Sequence, residues 1–461
     1  MTDPFALADT LRAHGQAHLL EGIAGLDPAA RAAFLARVAA VDWEELAHPS
    51  QPPPLAAFSA SRVIDRAERG ARTDELLAAG EAAYAAGRVA VLMVAGGQGT
   101  RLGSSAPKGC FAIGRHSGKS IYQVQAEKVL ALSRRLGRAV PFLIMTSPAT
   151  DAETRDMIAA HGRFGLVEGQ VRCFSQGTVP SLDAQGRALL AAPGRLLENP
   201  DGHGGCFTAL VASGELARLQ REGVAWIVYI QVDNILAPVD DPLLIGAGIR
   251  EDAQVVTKVL AKRHPDEKLG HLVRVGARDA IIEYTEVTPE QTRQVGADGQ
   301  VILRWGSPAL HAWSVPFLAG LAGRGYRPPL HRSKKPLSAW QAGAMAPLTG
   351  WKSERFIFDL VGEAEVSIGL EIDRAEEFAP VKNASGDDSP ESATALASDL
   401  YAGWLRAAGV RVELPPAARI EISPLVAATR AQLLARGAAG LPAAVTGDYY
   451  LEEDRAAASA H

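Results

Sequence analysis

The chain has 461 residues, of which 47% are apolar and 21% charged. That is enough for roughly two to four domains around substantial cores, and too apolar for wholesale disorder. A formal net charge of −5 excludes the broad cationic footprint that non-specific nucleic-acid binding needs, so any nucleotide ligand is expected to be small. Cys110, Cys173 and Cys206 are widely spaced with no CxxC pair, which indicates neither a disulfide framework nor a zinc site and suits a reducing cytoplasm. Met1 to Phe5 lacks the basic start and apolar run of a signal peptide, and no apolar stretch approaches the roughly 18 residues of a membrane span, so the protein is expected to be cytoplasmic and off the membrane.

The first fifty residues read as helices. Leu7 and Leu11 share a face, and Asp27-Pro28 opens a second helix that spaces Phe34, Val38 and Val41 on one side. Gln51-Pro52-Pro53-Pro54 breaks helical continuity and marks a soft boundary, since proline lacks an amide donor and pushes its predecessor out of the helical region. From about residue 87, apolar runs alternate with amphipathic helices. Val89–Val94 is a strand, Ile121–Leu136 a helix, Val140–Thr146 a strand and Asp151–His161 a helix, the pattern of a parallel sheet covered on both faces. Trp226–Val232 is a further buried strand, and it ends directly in Asp233-Asn234. Ligands of open α/β sheets gather beyond the carboxyl ends of strands, so the residues after Val94 and Val232 are the first places to look for chemistry.

After residue 255 strands dominate: Val255–Leu260, Leu272–Val275, Ala280–Tyr284, Val301–Trp305 and Trp313–Phe317. Arg327–Pro336 reads as a surface connector, Phe356–Glu365 as helical, Gly386–Pro390 as a loop and Ser392–Leu405 as helical. The expected division is an N-terminal helical part over 1–75, a central catalytic domain over 76–340 and a C-terminal α+β part over 341–461.

Ala95-Gly96-Gly97-Gln98-Gly99-Thr100-Arg101-Leu102-Gly103 follows the first strong strand, and Pro107-Lys108-Gly109 comes soon after. Glycines let backbone N–H groups close on phosphate oxygens, while Arg101 and Lys108 add fixed positive charge. The run is neither GxxxxGK[ST] nor GxGxxG with a distant acid, which disfavours a dinucleotide-dependent oxidoreductase. It resembles the GGxGTRLGxxxPKG loop of UDP-sugar pyrophosphorylases, closest in pattern to the UDP-N-acetylhexosamine type. Further matches in family order include Phe174-Ser175-Gln176-Gly177, Pro200-Asp201-Gly202-His203-Gly204-Gly205, Val232-Asp233-Asn234, Glu377-Phe378-Ala379-Pro380-Val381-Lys382-Asn383 and Ile422-Ser423-Pro424-Leu425. The resemblance covers almost the whole chain.

The resemblance implies an α/β fold, Rossmann-like and related to GT-A nucleotidyltransferases, with a central mixed sheet flanked by helices. It implies a uridylyltransferase that joins UTP and a hexose 1-phosphate into UDP-sugar and pyrophosphate. In such a reaction the sugar phosphate attacks the α-phosphorus in line, so positioning and charge neutralisation are what the protein must supply. By the same resemblance Arg101, Lys108 and Lys382 are catalytic cations. Gly96, Gly97, Gln98, Gly99, Thr100, Gln176 and Gly202 meet the nucleotide, with Gln176 reading the uracil edge. His203, Gly205, Glu283, Ser307, Phe356 and Phe358 form the sugar side. Asp233 is expected to bind Mg²⁺ or Mn²⁺, because a hard cation takes one or two carboxylates plus substrate phosphates.

Judged without the resemblance, Lys382 is an ordinary surface lysine, Glu283 a strand-face carboxylate and Phe356 and Phe358 core aromatics. Lys258 and Lys262 suit an exposed strand face. His203 stands where the N-acetylhexosamine pattern PDGNGG has asparagine, and Ser307 follows Gly306 where that pattern has Gly-Asn. Both departures lie on the sugar side, which points to glucose 1-phosphate or another unacetylated hexose as the better substrate. A UDP-sugar-binding regulatory protein without turnover is the alternative from another class. The expected assembly is a monomer or weak homo-oligomer.

Overall fold

A computed structural model describes residues 4–21, 23–51, 58–296, 299–437 and 440–453. Its contacts fall into two units, each gathered from three separated stretches: 1–53, 176–209 and 326–360 form the smaller, and 54–175, 210–325 and 361–461 the larger. These units do not follow the consecutive division 1–75, 76–340 and 341–461. Of the proline run expected to mark the first boundary, Pro52, Pro53 and Pro54 lie outside the described residues.

The smaller unit begins with the helices Pro4–Ala13, Pro28–Ala39 and Trp43–Ala47. Asp27 Oδ1 accepts the amides of Ala29 (3.0 Å) and Ala30 (2.9 Å), and Pro28 fills the first helical position, where an amide has no partner in any case. These helices bury Leu11, Phe34, Val38, Trp43 and Leu46 against Leu182, Leu196 and Leu330. That shared core is why distant stretches of chain join the N-terminal helices. The expected connector at Arg327–Pro336 is instead mostly strand: Leu330–Gln341 pairs antiparallel along its whole length with Ala344–Arg355. Ala342 and Gly343 between them have φ of 48° and 91°, the backbone of a two-residue turn that matches strand twist.

The larger unit is built on a twelve-stranded mixed sheet. In chain order its strands are β1 (Phe58–Ser59), β2 (Val63–Ile64), β3 (Val89–Val94), β4 (Phe142–Thr146), β5 (Val171–Ser175), β6 (Trp226–Gln231), β7 (Val255–Ala261), β8 (Gly270–Val275), β9 (Arg278–Ile282), β10 (Trp305–Ser307), β11 (His311–Ser314) and β12 (Ser367–Glu371). The strands β6, β3, β4 and β5 run parallel side by side, and β11 joins β6 to β7 by antiparallel pairing. All six residues of β3 are buried, as the continuous apolar run required. Helix Ile121–Leu136 starts where Ser120 Oγ accepts the Gln123 amide at 3.2 Å and ends at Gly137 in the left-handed region.

Several expected boundaries differ by two residues or more, among them Ala280–Tyr284, observed as Arg278–Ile282, and the following three. The strand expected at Val301–Trp305 is Trp305–Ser307. The one expected at Trp313–Phe317 stops at Ser314, whose hydroxyl accepts the Phe317 amide and opens helix Val315–Gly323 with Pro316 in its first turn. Phe356–Glu365 is a tight 3₁₀ turn over Ile357–Glu363 rather than a full helix, and it leads to β12, which pairs parallel with β7. The C-terminal stretch adds helix Pro390–Ala407 and two short parallel pairings around Trp404, Leu405, Ile420, Ile422 and Leu433. All three cysteines are free thiols. No helix of the described residues is long and apolar enough to cross a membrane.

Candidate active site

In the larger unit Gln231 pairs with Val94 across parallel strands, and Val232 N–H donates to Val94 C=O at 3.0 Å. The carboxyl ends of β3 and β6 therefore lie side by side, bringing the glycine loop next to Asp233. Ser147 Oγ donates to Gly96 C=O at 2.8 Å, fixing the loop at its root. Gly99 N–H donates to Ala106 C=O at 2.8 Å and Lys108 N–H to Gly97 C=O at 3.1 Å, so the loop folds back on itself and returns Lys108 to its start. Gly97, Gln98, Thr100 and Arg101 are exposed, whereas Gly96 and Gly99 are buried. Lys108 Nζ lies 3.5 Å from Asp233 Oδ2.

Lys382 reaches the same strand end through its backbone. Val381 N–H donates to Asp233 C=O at 2.8 Å, and Lys382 is the next residue. Its ammonium lies 3.9 Å from Asp388 and 5.8 Å from the ring centroid of Phe378, on a side chain 38% exposed. Asp233 is a single hard-oxygen donor: among the described residues there is no cluster of three or more His, Cys, Asp or Glu side chains fit to hold a metal by themselves.

Glu283 and Ser307 meet around one residue of β8. Ser307 pairs with Gly270, while Ile282 pairs with the adjacent His271, which sets Glu283 on the opposite side of Gly270. Ser307 is buried and its hydroxyl accepts the Ala309 amide at 3.2 Å; Glu283 N–H donates to the Glu286 carboxylate at 3.1 Å. Lys258, read as a possible exposed-face residue, is buried and ion-paired with Asp241 and Glu377. Lys262 is half-buried and donates to Pro265 C=O.

Gln176, Gly202, His203, Gly205, Phe356 and Phe358 belong to the smaller unit. Gln176 is buried. The loop Asp201–Gly205 wraps the backbone of Arg355: Arg355 N–H donates to Asp201 C=O at 2.7 Å and Gly204 N–H to Arg355 C=O at 2.8 Å. Gly202 holds a φ of 86°, and a Cβ on it would lie 2.5 Å from Arg355 C=O, so glycine is required there. A Cβ on Gly205 would lie 1.9 Å from Asp201 Oδ1. Burial pushes the Asp201 carboxyl up to about 6, against the opposing charge of Arg355. His203 Nδ1 accepts the Ile357 amide at 3.2 Å, and its ring stacks on Phe356 at 5.5 Å. Phe356 and Phe358 lie 4.9 Å apart, completing an aromatic cluster in which Phe358 is buried.

Sequence reasoning passed over Asn234, Gln125 and Lys128. Asn234 is 2% exposed and bonded on every side. Gln125 Nε2 donates to its C=O at 2.9 Å, and Lys128 Nζ donates to the carbonyls of Ile235 (2.7 Å) and Ala237 (2.9 Å). Helical spacing marks Gln125 and Lys128 as polar residues on an otherwise apolar face, which was the available signal.

A profile of the UTP–glucose-1-phosphate uridylyltransferase family matches residues 48–299. UDP-N-acetylglucosamine diphosphorylase 2 of Arabidopsis thaliana is 37% identical over 359 residues, covering 74% of this chain and 71% of that protein. UDP-N-acetylglucosamine pyrophosphorylase of Saccharomyces cerevisiae is 36% identical over 341 residues, covering 71% and 72%. Among solved structures, the uridine diphosphate N-acetylglucosamine pyrophosphorylase of Trypanosoma brucei superposes with a TM-score of 0.78 at 28% identity, over 98% of this chain and 99% of that one.

Proposed function

The chain belongs to the UTP–glucose-1-phosphate uridylyltransferase family, and from that membership we infer that it joins UTP and a hexose 1-phosphate into a UDP-sugar and pyrophosphate. The observation that carries this reading onto the chain's own residues is the strand end where Lys108 lies 3.5 Å from Asp233 and the Lys382 segment is bonded to the same aspartate. The nucleophile is the substrate's phosphate oxygen, which attacks the α-phosphorus as the pyrophosphate oxygen leaves. The protein's work is to bring two anions together and to neutralise the charge that grows on the leaving group.

In this reading Arg101 and Lys108 hold the triphosphate, and Lys382 swings its half-exposed ammonium onto the phosphates. The backbone of Gly96, Gly97, Gln98, Gly99 and Thr100 is assigned to the nucleotide, and by the family resemblance so are Gln176 and Gly202. His203, Gly205, Glu283, Ser307, Phe356 and Phe358 serve the sugar. Asp233 is the residue that would hold Mg²⁺ or Mn²⁺; one carboxylate with no further ligand cluster among the described residues fits a cation that takes the rest of its shell from phosphates and water. When bound, such a cation supplies charge neutralisation at the phosphates.

The sugar we assign is N-acetylglucosamine 1-phosphate. The departures at His203 and Ser307 favoured an unacetylated hexose, but the relatives at 36% and 37% identity are named for N-acetylglucosamine. His203 also has packing work to do, accepting the Ile357 amide and stacking on Phe356. A panel of sugar 1-phosphates with UTP and Mg²⁺, read by pyrophosphate release, tests both assignments. Turnover with N-acetylglucosamine 1-phosphate at the highest kcat/KM is expected. A higher value for glucose 1-phosphate overturns the sugar, and no turnover with any member overturns the enzyme in favour of a binding protein. Replacing UTP by the other nucleoside triphosphates in the same experiment tests Gln176. A cytoplasmic setting remains our reading from the cysteine usage and the N-terminal sequence, and a monomer or weak homo-oligomer is the expected assembly, which light scattering checks.

A further inference from the structure

The segment Glu377–Val381 runs antiparallel beside Asp233–Ile235. Val381 N–H donates to Asp233 C=O at 2.8 Å, Ile235 N–H donates to Ala379 C=O at 3.3 Å, and Asn234 stands opposite Pro380. Asn234 and Pro380 form a non-hydrogen-bonded pair with both flanking rungs made, so the N–H that proline lacks is not one this ladder would use. The Asn234 side chain extends the pairing beyond these two rungs. Its Nδ2 donates to Glu377 C=O at 2.7 Å, and its Oδ1 accepts the amide of Ala379 at 3.0 Å and that of Leu236 at 3.3 Å. An amide is the one short side chain that can both donate and accept in this arrangement.

Both partners of this clamp are themselves immobilised. Gln125 Nε2 holds Asn234 C=O, and Lys128 Nζ holds the next carbonyls at Ile235 and Ala237, so the strand-end loop is bolted to helix Ile121–Leu136. On the other side the Glu377 carboxylate is paired with Lys258 of β7. Lys382, one residue beyond Val381, keeps a side chain 38% exposed. Its backbone is fixed by the ladder, and its ammonium is held by Asp388 at 3.9 Å and the Phe378 ring.

We propose that Asn234 is a positioning residue that sets the Lys382 segment in register against Asp233. It touches neither substrate nor metal; it acts through Lys382. The kinetic part of this proposal rests on the uridylyltransferase reading, and the structural part does not. Misplacing a charge by about 1 Å at a site of this kind costs on the order of a hundredfold in rate.

The test uses the full chain with Asn234→Ala, Lys382→Ala and the double variant, and measures both amide exchange of peptides over 377–383 and pyrophosphate release. Asn234→Ala is expected to speed exchange in that segment about tenfold or more and to lower kcat about 10- to 100-fold, with KM for UTP within about threefold of wild type. In the Lys382→Ala background the same substitution is expected to change kcat less than about threefold, because the residue it acts through is gone. Multiplicative losses in the double variant, or unchanged exchange over 377–383, overturn the proposal. If Asn234→Ala does not fold, Asn234→Ser is measured with the same expectations at reduced size. A wild-type protein without turnover overturns the uridylyltransferase reading and leaves exchange alone to decide the clamp.

Discussion

Lys108 Nζ stands 3.5 Å from Asp233 Oδ2, with side chains 18% and 15% exposed. For a pair this withdrawn from water, desolvation offsets most of the mutual attraction, so stability does not explain why a lysine and an aspartate converge on adjacent strand ends. Lys108→Ala is expected to cost stability, up to about 3–5 kcal/mol where the Asp233 charge is left wholly uncompensated, and to lower kcat/KM of the folded protein about 100-fold or more, the scale of removing one preorganised charge donor from a phosphate-transfer site. Asp233→Ala is expected to abolish metal-dependent turnover. Denaturant melts alongside pyrophosphate release check both, and a Lys108→Ala protein with more than a third of wild-type kcat/KM contradicts the role.

Two glycines of the site should respond to alanine in opposite ways. A Cβ on Gly205 would sit 1.9 Å from Asp201 Oδ1, whereas one on Gly97 would meet nothing within 4 Å. Gly205→Ala must displace a buried carboxylate, and overpacking of that kind costs about 1–3 kcal/mol. Gly97→Ala should be within about 0.5 kcal/mol of wild type, as open positions usually are, yet raise KM for UTP, because the proposed function assigns its exposed backbone to the nucleotide. Equal stability losses in the two variants would contradict this account of Gly205.

The difference between those glycines was not legible in the sequence, and the reason is general. Local order was readable: β3 announces itself by six apolar residues in a row, and Ile121–Leu136 by Ser120 before it and Gly137 after it. The glycine-rich loop after β3 was readable as a loop because its glycines are contiguous. What escaped depends on groups far apart in the chain. Leu182 and Leu330 join the N-terminal helices only once they share a core. The strand Leu330–Gln341 carries Lys334, Lys335 and Pro336, so its charge and proline masked a pairing that its partner at Ala344–Arg355 dictates. Asn234 gave no sign that its partners are the backbone of Glu377 and Ala379.

Lys128 sets a pH dependence. Burial pushes its ammonium down to about 7, although its two carbonyl partners favour the charged form and limit the shift. The unfolded value is about 10.4. Between about pH 7 and 10 the unfolded chain holds a proton that the folded one sheds, so this group makes stability rise with pH, by at most about 1.4 kcal/mol per unit. Below that window both states hold the proton and the contribution is flat. Lys128→Met removes this slope and leaves two carbonyls without a donor. It is therefore expected to be less stable than wild type at pH 9, with the gap narrowing toward pH 7. Denaturation midpoints at several pH values check this, and parallel curves for the two proteins contradict it.

His203 decides how far the sugar side has departed from the N-acetylhexosamine pattern. Because its Nδ1 accepts the Ile357 amide at 3.2 Å, the proton of the neutral ring is on Nε2, so the residue presents a donor on that edge and no acceptor. The asparagine of the pattern offers both, on a shorter arm. His203→Asn gives up the ring stack on Phe356, which costs about 0.5–1.5 kcal/mol of stability. In return it restores a group able to accept from an acetamido N–H as well as donate to a hydroxyl. The ratio of kcat/KM for N-acetylglucosamine 1-phosphate over glucose 1-phosphate is expected to rise about 5-fold or more, the discrimination that about 1 kcal/mol of differential hydrogen bonding provides. Phe356→Leu, which removes the stack and leaves His203 in place, is expected to lower stability without moving that ratio. A ratio that moves with Phe356→Leu and not with His203→Asn would mean that the aromatic cluster, rather than the imidazole, selects the sugar.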